Sequence, residues 1–140
     1  SDCHGTLVSP LNMPLFQTLI RAKEEGHFVI ITSSGYNLQS VTRLMLQNVG
    51  KPENFFDVEI DGGAHSVILK KNLSEALGKL GVDKADFVFD DENPQTYLRA
   101  DQIACHVDPK DFDYSVSKDP QEIPSGDYLR LRLAFPNAAP

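Results

Sequence analysis

Apolar residues along this chain change period several times, and each change predicts an element. Leu15, Phe16, Leu19, Ile20 and Ala22 recur at helical spacing, so a helix is expected over residues 14–23. Pro14 suits its first position, where a missing N–H costs nothing, and Gly26 suits a left-handed cap. Residues 28–31 are a continuous run, Phe-Val-Ile-Ile, expected to be a strand buried on both faces and to end in Thr32-Ser33-Ser34-Gly35. A second helix is expected over residues 38–48, with Leu38, Val41, Leu44 and Met45 inward and Gly50 and Pro52 as stop signals. Residues 56–60 read as a short strand broken at Asp61-Gly62-Gly63, and residues 67–69 as another short strand. A third helix is expected over residues 73–80, capped by Gly81. Residues 87–89 are the next buried strand, ending at Asp90-Asp91-Glu92-Asn93-Pro94. A helix over residues 94–100 and a strand within residues 103–107 complete the series.

Strands alternating with helices of about ten residues imply βαβ units, hence an α/β fold. The expected architecture is a three-layer sandwich, with a mostly parallel, Rossmann-like sheet between helices. Ligands of such sheets sit at the carboxyl ends of the strands, where the polar turns at residues 2–6, 32–35 and 90–93 would converge. One domain over residues 1–113 is expected. Residues 114–140 form a proline-rich extension with Pro120, Pro124, Pro136 and Pro140. Its alternating Leu129-Arg130-Leu131-Arg132-Leu133 suits an edge strand or a docking segment. A carboxylate at a strand end needs a strand before it, and Ser1 alone precedes Asp2, so a first strand is expected ahead of this sequence.

Composition narrows the setting. One hundred and forty residues suffice to bury roughly 68–70% of the unfolded surface, and 41% hydrophobic with 24% charged residues is ordinary for a globular domain. A net charge of −7 argues against nucleic acid or an anionic membrane as the main partner. No apolar run reaches the ~18 residues of a membrane span. Two cysteines, Cys3 and Cys105, are expected to be reduced, partly buried thiols, which suits the cytoplasm.

The opening Ser1-Asp2-Cys3-His4-Gly5-Thr6-Leu7 carries the most specific chemistry. Asp2 is a reactive-carboxylate candidate, and Gly5 permits close backbone approach to an anion. Asp90 and Asp91 after a buried strand repel each other unless a cation is near. The duller roles are a turn cap for Asp2, strand-end satisfaction for Thr32 and Ser33, and a solvated pair for Lys70 and Lys71. His27, His65 and His106 are expected on surfaces or in loops.

Together these segments resemble the haloacid dehalogenase-like superfamily. Residues 2–7 resemble its first motif, Asp-x-Asp-Gly-Thr-Leu, with His4 in place of the second aspartate. Thr32 resembles the second motif, Lys71 (or Lys70) the lysine motif, and Asp90-Asp91 the acidic fourth motif, so the resemblance spans residues 2–108. It implies Mg2+-dependent phosphoryl transfer through an aspartyl-phosphate on Asp2. The metal ligands would be Asp2, the His4 backbone carbonyl and one or both of Asp90 and Asp91. Thr32, Ser33, Lys71 and backbone N–H groups near Cys3 and His4 would hold the phosphoryl oxygens.

The resemblance assigns the second aspartate to acid–base work, whose loss typically costs 10²–10⁴-fold in rate. Histidine, with an ordinary pKa of ~6.5, is able to serve there in altered form. Dehalogenating and phosphonate-cleaving members also lack that aspartate. The same opening resembles the Asp-x-His of calcineurin-like metallophosphatases, but their Gly-Asp-x-x-Asp and Gly-Asn-His-Asp/Glu segments have no counterpart. The sequence leaves no room for a large cap, so an open site for a phosphorylated and macromolecular substrate is expected, or a cap lent by another subunit or domain. The competing expectation is a catalytically degenerate domain that serves as a binding or scaffolding module.

Overall fold

A computed structural model describes residues 1–8, 11–33, 38–62 and 66–109. The proline-rich extension, Ser34, Gly35, Gly63 and His65 lie outside the described residues, and so do the expectations placed on them.

The described residues form a mixed α/β structure with three helices and two small parallel sheets. Helix α1 spans Met13–Glu24. The Asn12 side chain caps it by accepting from the Leu15 N–H, and Pro14 lies in its first turn. At its other end Gly26 has φ +93°, the His27 N–H donates to the Ala22 carbonyl, and the Gly26 N–H donates to Lys23, a Schellman closure. Strand β1, Ile30–Ser33, follows, and then α2, Leu38–Val49. Strand β2, Val58–Asp61, pairs in parallel with β1, Ile30 opposite Val58 and Ser33 opposite Asp61. Helix α3 is Ser66–Leu80. Strands β3, Val88–Phe89, and β4, His106–Val107, form the second parallel pair.

The opening tripeptide ties the two pairs together. The Ser1 nitrogen donates to the Ile30 carbonyl at 2.7 Å, the Thr32 N–H to the Ser1 carbonyl at 2.9 Å, and the Cys3 N–H to the Thr32 carbonyl at 3.0 Å. On the other side, the Asp2 N–H donates to the Phe89 carbonyl at 2.8 Å. Strand alternation then sorts side chains into two cores. Cys3, Val29, Ile31, Phe89 and Val107 join residues of α1 and α2, including Phe16, Leu38 and Leu46, with Phe55 and Phe56. Ile60 and Val88 join Leu69, Leu73 and Leu77 of α3, with Tyr97 and Leu98.

Several local expectations are corrected. Residues 67–69 are not a strand. Leu69, Leu73, Ala76 and Leu77 keep one helical stripe, which starts α3 seven residues earlier than expected and leaves Val67 and Ile68 exposed. Residues 94–100 hold no regular helix but a 3₁₀ turn at Pro94–Thr96; a second covers Ala100–Gln102, and Arg99 between them is extended at φ −71°, ψ 154°. Leu44 of α2 is 63% exposed, because Leu38, Thr42, Met45 and Leu46 already form the inward stripe. Phe28 stands outside β1 and is 53% exposed. Cys3 and Cys105 are free and buried in the same core, with burial pushing the Cys3 thiol up to about 12. Among the described residues, no helix is long and apolar enough to cross a membrane.

Candidate active site

The site is assembled at the carboxyl ends of the central segments, where the opening turn leaves the sheet. After Cys3 the chain folds back at once: the Leu7 and Val8 N–H groups both donate to the Cys3 carbonyl, and the Gly5 N–H donates to Val8. Gly5 closes the turn at φ +80°, and a Cβ there would stand 2.7 Å from Asp91 Oδ2. Glycine is therefore needed for two reasons, the left-handed backbone and the close approach of a carboxylate.

Asp2, Asp90 and Asp91 place one carboxylate oxygen each within 4.8 Å of one another. Eighty-eight residues of chain separate the first from the second, and the sheet brings them together. Asp90 follows β3 and is only 4% exposed. Its carboxylate accepts from the Tyr97 hydroxyl and from the Glu92 N–H, and its backbone carbonyl accepts from His106 Nε2 at 2.9 Å. Asp91 is tied to the turn through Thr6. The Thr6 hydroxyl lies 3.2 Å from both Asp2 Oδ2 and Asp91 Oδ1 and accepts from the Asp91 N–H at 3.0 Å. One hydroxyl proton thus serves two carboxylates.

Crowding of negative charge in a partly dry site favours protonation. Burial first, then the Asp90 charge, push the Asp2 carboxyl up to about 7, against the opposing hydrogen bond from Thr6. Burial likewise raises Asp90, while Tyr97 and the Glu92 N–H pull the other way. Burial and the Asp90 contact push the Tyr97 phenol up. This donor set is all hard oxygen, which is what Ca2+ or Mg2+ takes, and a divalent cation would relieve the repulsion that lifts Asp2.

The expected residues do not all reach this cluster. The Thr32 hydroxyl donates to the Ser1 carbonyl at 3.4 Å and lies against Tyr97, on the helix α3 side of the sheet. Ser33 is buried in β1. The Cys3 amide is consumed by the Thr32 carbonyl, so among the described residues the amide of residues 2–8 left over for an anion is that of His4. The His4 side chain is exposed, as are Lys70 and Lys71 on α3, and none of these three makes a hydrogen bond or ion pair among the described residues.

Sequence reasoning gave no role to Thr6, Tyr97 or His106, yet Thr6 and Tyr97 hold the carboxylates and His106 holds the Asp90 backbone carbonyl. Thr6 stood within the opening motif and could have been singled out as the nearest hydroxyl to Asp2. Nothing in the local sequence points to Tyr97 or His106, which reach Asp90 only through the fold. A scan against protein-family models, a search of curated proteins and a search of solved structures each find no match for this chain.

Proposed function

We propose that this chain is a Mg2+-dependent phosphohydrolase of the haloacid dehalogenase-like type, acting through an aspartyl-phosphate on Asp2. The observation that carries the reading is the convergence of Asp2 with Asp90 and Asp91 at the strand ends, within 4.8 Å. The strand alternation that feeds two separate cores supports the corresponding three-layer, Rossmann-like sandwich.

In this reading Asp2, Asp90 and Asp91 would hold Mg2+, together with the His4 backbone carbonyl, and the ion would supply positive charge between nucleophile and phosphate. Ionised Asp2 attacks phosphorus, the bond from phosphorus to the leaving oxygen breaks, and the leaving oxygen takes a proton from solvent water. Water then hydrolyses the acyl phosphate, returning phosphate and free Asp2. Thr6 orients Asp2 and Asp91, and Tyr97 fixes Asp90. The His4 N–H points to phosphoryl binding and its exposed imidazole to proton exchange with solvent. The substrate class is a phosphate monoester, phosphorylated macromolecules included, in a cytoplasmic setting, with any cap supplied by a partner subunit or domain.

A second reading has its own support. The His4 and Lys71 side chains, the expected acid–base group and charge-neutralising lysine, make no hydrogen bond or ion pair with the carboxylates among the described residues. That favours a degenerate domain which binds a phosphorylated ligand without turning it over. Hydrolysis of an aryl phosphate, with and without Mg2+, by the parent and by Asp2→Asn separates the two. Metal-dependent turnover that drops to background in Asp2→Asn is the expected result. Equal, metal-independent rates in both would remove the enzyme reading.

A further inference from the structure

Asp90 is the most buried of the three clustered carboxylates, and the fold holds its backbone and its side chain alike. Its N–H donates to the Val107 carbonyl at 3.2 Å, and its own carbonyl accepts from His106 Nε2 at 2.9 Å. With the backbone fixed, what remains is the turning of the side chain. Two donors restrain that as well: the Glu92 N–H on Oδ1 at 2.9 Å, and the Tyr97 hydroxyl on Oδ2.

Tyr97 is itself a well-anchored donor. The 3₁₀ turn at Pro94–Thr96, capped by the Asn93 side chain, returns the chain so that the Tyr97 N–H donates to the Pro94 carbonyl. The ring is buried in the same core as Ile60, Val88 and Leu98, and its hydroxyl lies between Thr32 and Asp90. A packed ring with two torsions gives that oxygen little play. The other two carboxylates are held less firmly. One Thr6 hydroxyl, 3.2 Å from each, divides its proton between Asp2 Oδ2 and Asp91 Oδ1.

We infer that Tyr97 is a positioning residue that confines Asp90 to one-oxygen contact with a divalent ion, and so makes the cluster favour Mg2+ over Ca2+. The inference rests on the Mg2+ reading proposed above and extends it to how one ion is told from the other. Mg2+ takes a near-octahedral oxygen set at about 2.0–2.1 Å and keeps several waters. Ca2+ takes about six to eight oxygens at roughly 2.3–2.6 Å, often both oxygens of one carboxylate. Asp2, Asp90 and Asp91, giving one oxygen each, suit the smaller ion completed by water. For the larger ion their second oxygens are the missing ligands. Bringing both oxygens of Asp90 to an ion means turning its carboxyl group, which strains the bonds from Tyr97 and Glu92 together. The buried phenol is then left short of its acceptor, a cost that falls on Ca2+ and not on Mg2+.

The test titrates the full chain and Tyr97→Phe with MgCl2 and, separately, with CaCl2 by calorimetry. The substitution keeps the ring in its core and removes only the hydroxyl. Mg2+ affinity is expected to fall about tenfold while Ca2+ affinity holds, so the preference for Mg2+ shrinks about tenfold. Infrared difference spectra, ion-loaded minus ion-free, read the contact itself. The splitting between the two carboxylate stretches is wide for one-oxygen contact and narrow for two-oxygen contact. The parent with Ca2+ is expected to show the wide splitting, and Tyr97→Phe with Ca2+ to gain the narrow one. An equal weakening of both ions, as a merely structural role would give, overturns the inference, and so does an unmoved preference. If Tyr97→Phe does not fold, the parent's spectrum decides: wide splitting supports the inference and narrow splitting overturns it. A parent that binds neither ion overturns this inference and the Mg2+ reading together, whereas ions bound with an unmoved preference overturn this inference alone. Neither readout involves turnover.

Discussion

Asp2 and Lys71 were expected to meet over one phosphate, yet they sit on elements of opposite character. The turn at residues 2–8 is stitched into the sheet from both sides: Asp2 donates to Phe89, Cys3 to Thr32, and Thr6 links Asp2 to Asp91. Among the described residues the first turns of α3 bury the stripe of Leu69, Leu73, Ala76 and Leu77, while Val67, Ile68, Lys70 and Lys71 are exposed. A residue anchored by ladder bonds at its own backbone has its position fixed to within a fraction of an ångström. A residue on the outer face of a helix has only its helix's packing to place it. The difference teaches that the carboxylate half of the proposed chemistry is built into the fold, whereas the cationic half depends on how a long, mobile side chain is drawn in.

Glycines test this contrast most strongly. Gly5→Ala forces a Cβ to 2.7 Å from Asp91 at a φ of +80°. The expected cost is roughly 2–4 kcal/mol in urea unfolding, with loss of Mg2+ affinity by calorimetry. A loss below 0.5 kcal/mol would show the turn to be far less rigid than described. Thr6→Val keeps the shape but removes the hydroxyl that serves Asp2, Asp91 and the Asp91 N–H. It should cost about 1–3 kcal/mol and weaken metal binding, because a half-buried N–H loses its acceptor.

Proton uptake gives a third handle. With Asp2 raised to about 7, the folded state holds a proton that the unfolded chain has released between about pH 4 and pH 7. Stability measured without metal should therefore decline as pH rises through that window. If the cluster holds Mg2+ as proposed, the ion should abolish the decline, because binding to the native state in its ionised form offsets the cost of deprotonation. A stability that rises over the same window, metal-free, would contradict the crowding of charge at Asp2.

The smallest effect belongs to α3. Gly78 lies within that helix, and a Cβ there would meet open space outside the helix's own backbone. Gly78→Ala is expected to stabilise by about 0.5–1 kcal/mol in the same urea series, through helix propensity alone. A loss there would show that the exposed side of α3 packs against something.

Much of this was legible in sequence because it depends on neighbours a few residues apart. The period of Leu15, Phe16, Leu19 and Ile20 marked α1, and Gly26 its closure. The Gly5 turn, the apolar run into β1 and the paired acids after β3 were equally plain. The start of α3 was misread because Val67, Ile68 and Leu69 are consecutive and β-branched in part, and only the later stripe shows that Leu69 alone turns inward. Residues 94–100 carry a helix-like start at Pro94 but lack an apolar stripe to sustain it.

What the sequence determined by itself, then, is most of the helices and strands, residues 67–69 and 94–100 excepted, and which segments carry acids at their ends, since period, turn residues and side-chain chemistry are properties of short stretches. The tertiary structure alone decided that Asp90 is buried against Tyr97 and His106, that Thr6 reaches Asp91, and that Lys71 makes no ion pair with the carboxylates among the described residues. Those facts depend on which strand lies beside which and on the register between them. Hydrogen bonds between residues 17 to 87 positions apart set that register, and no local pattern encodes it.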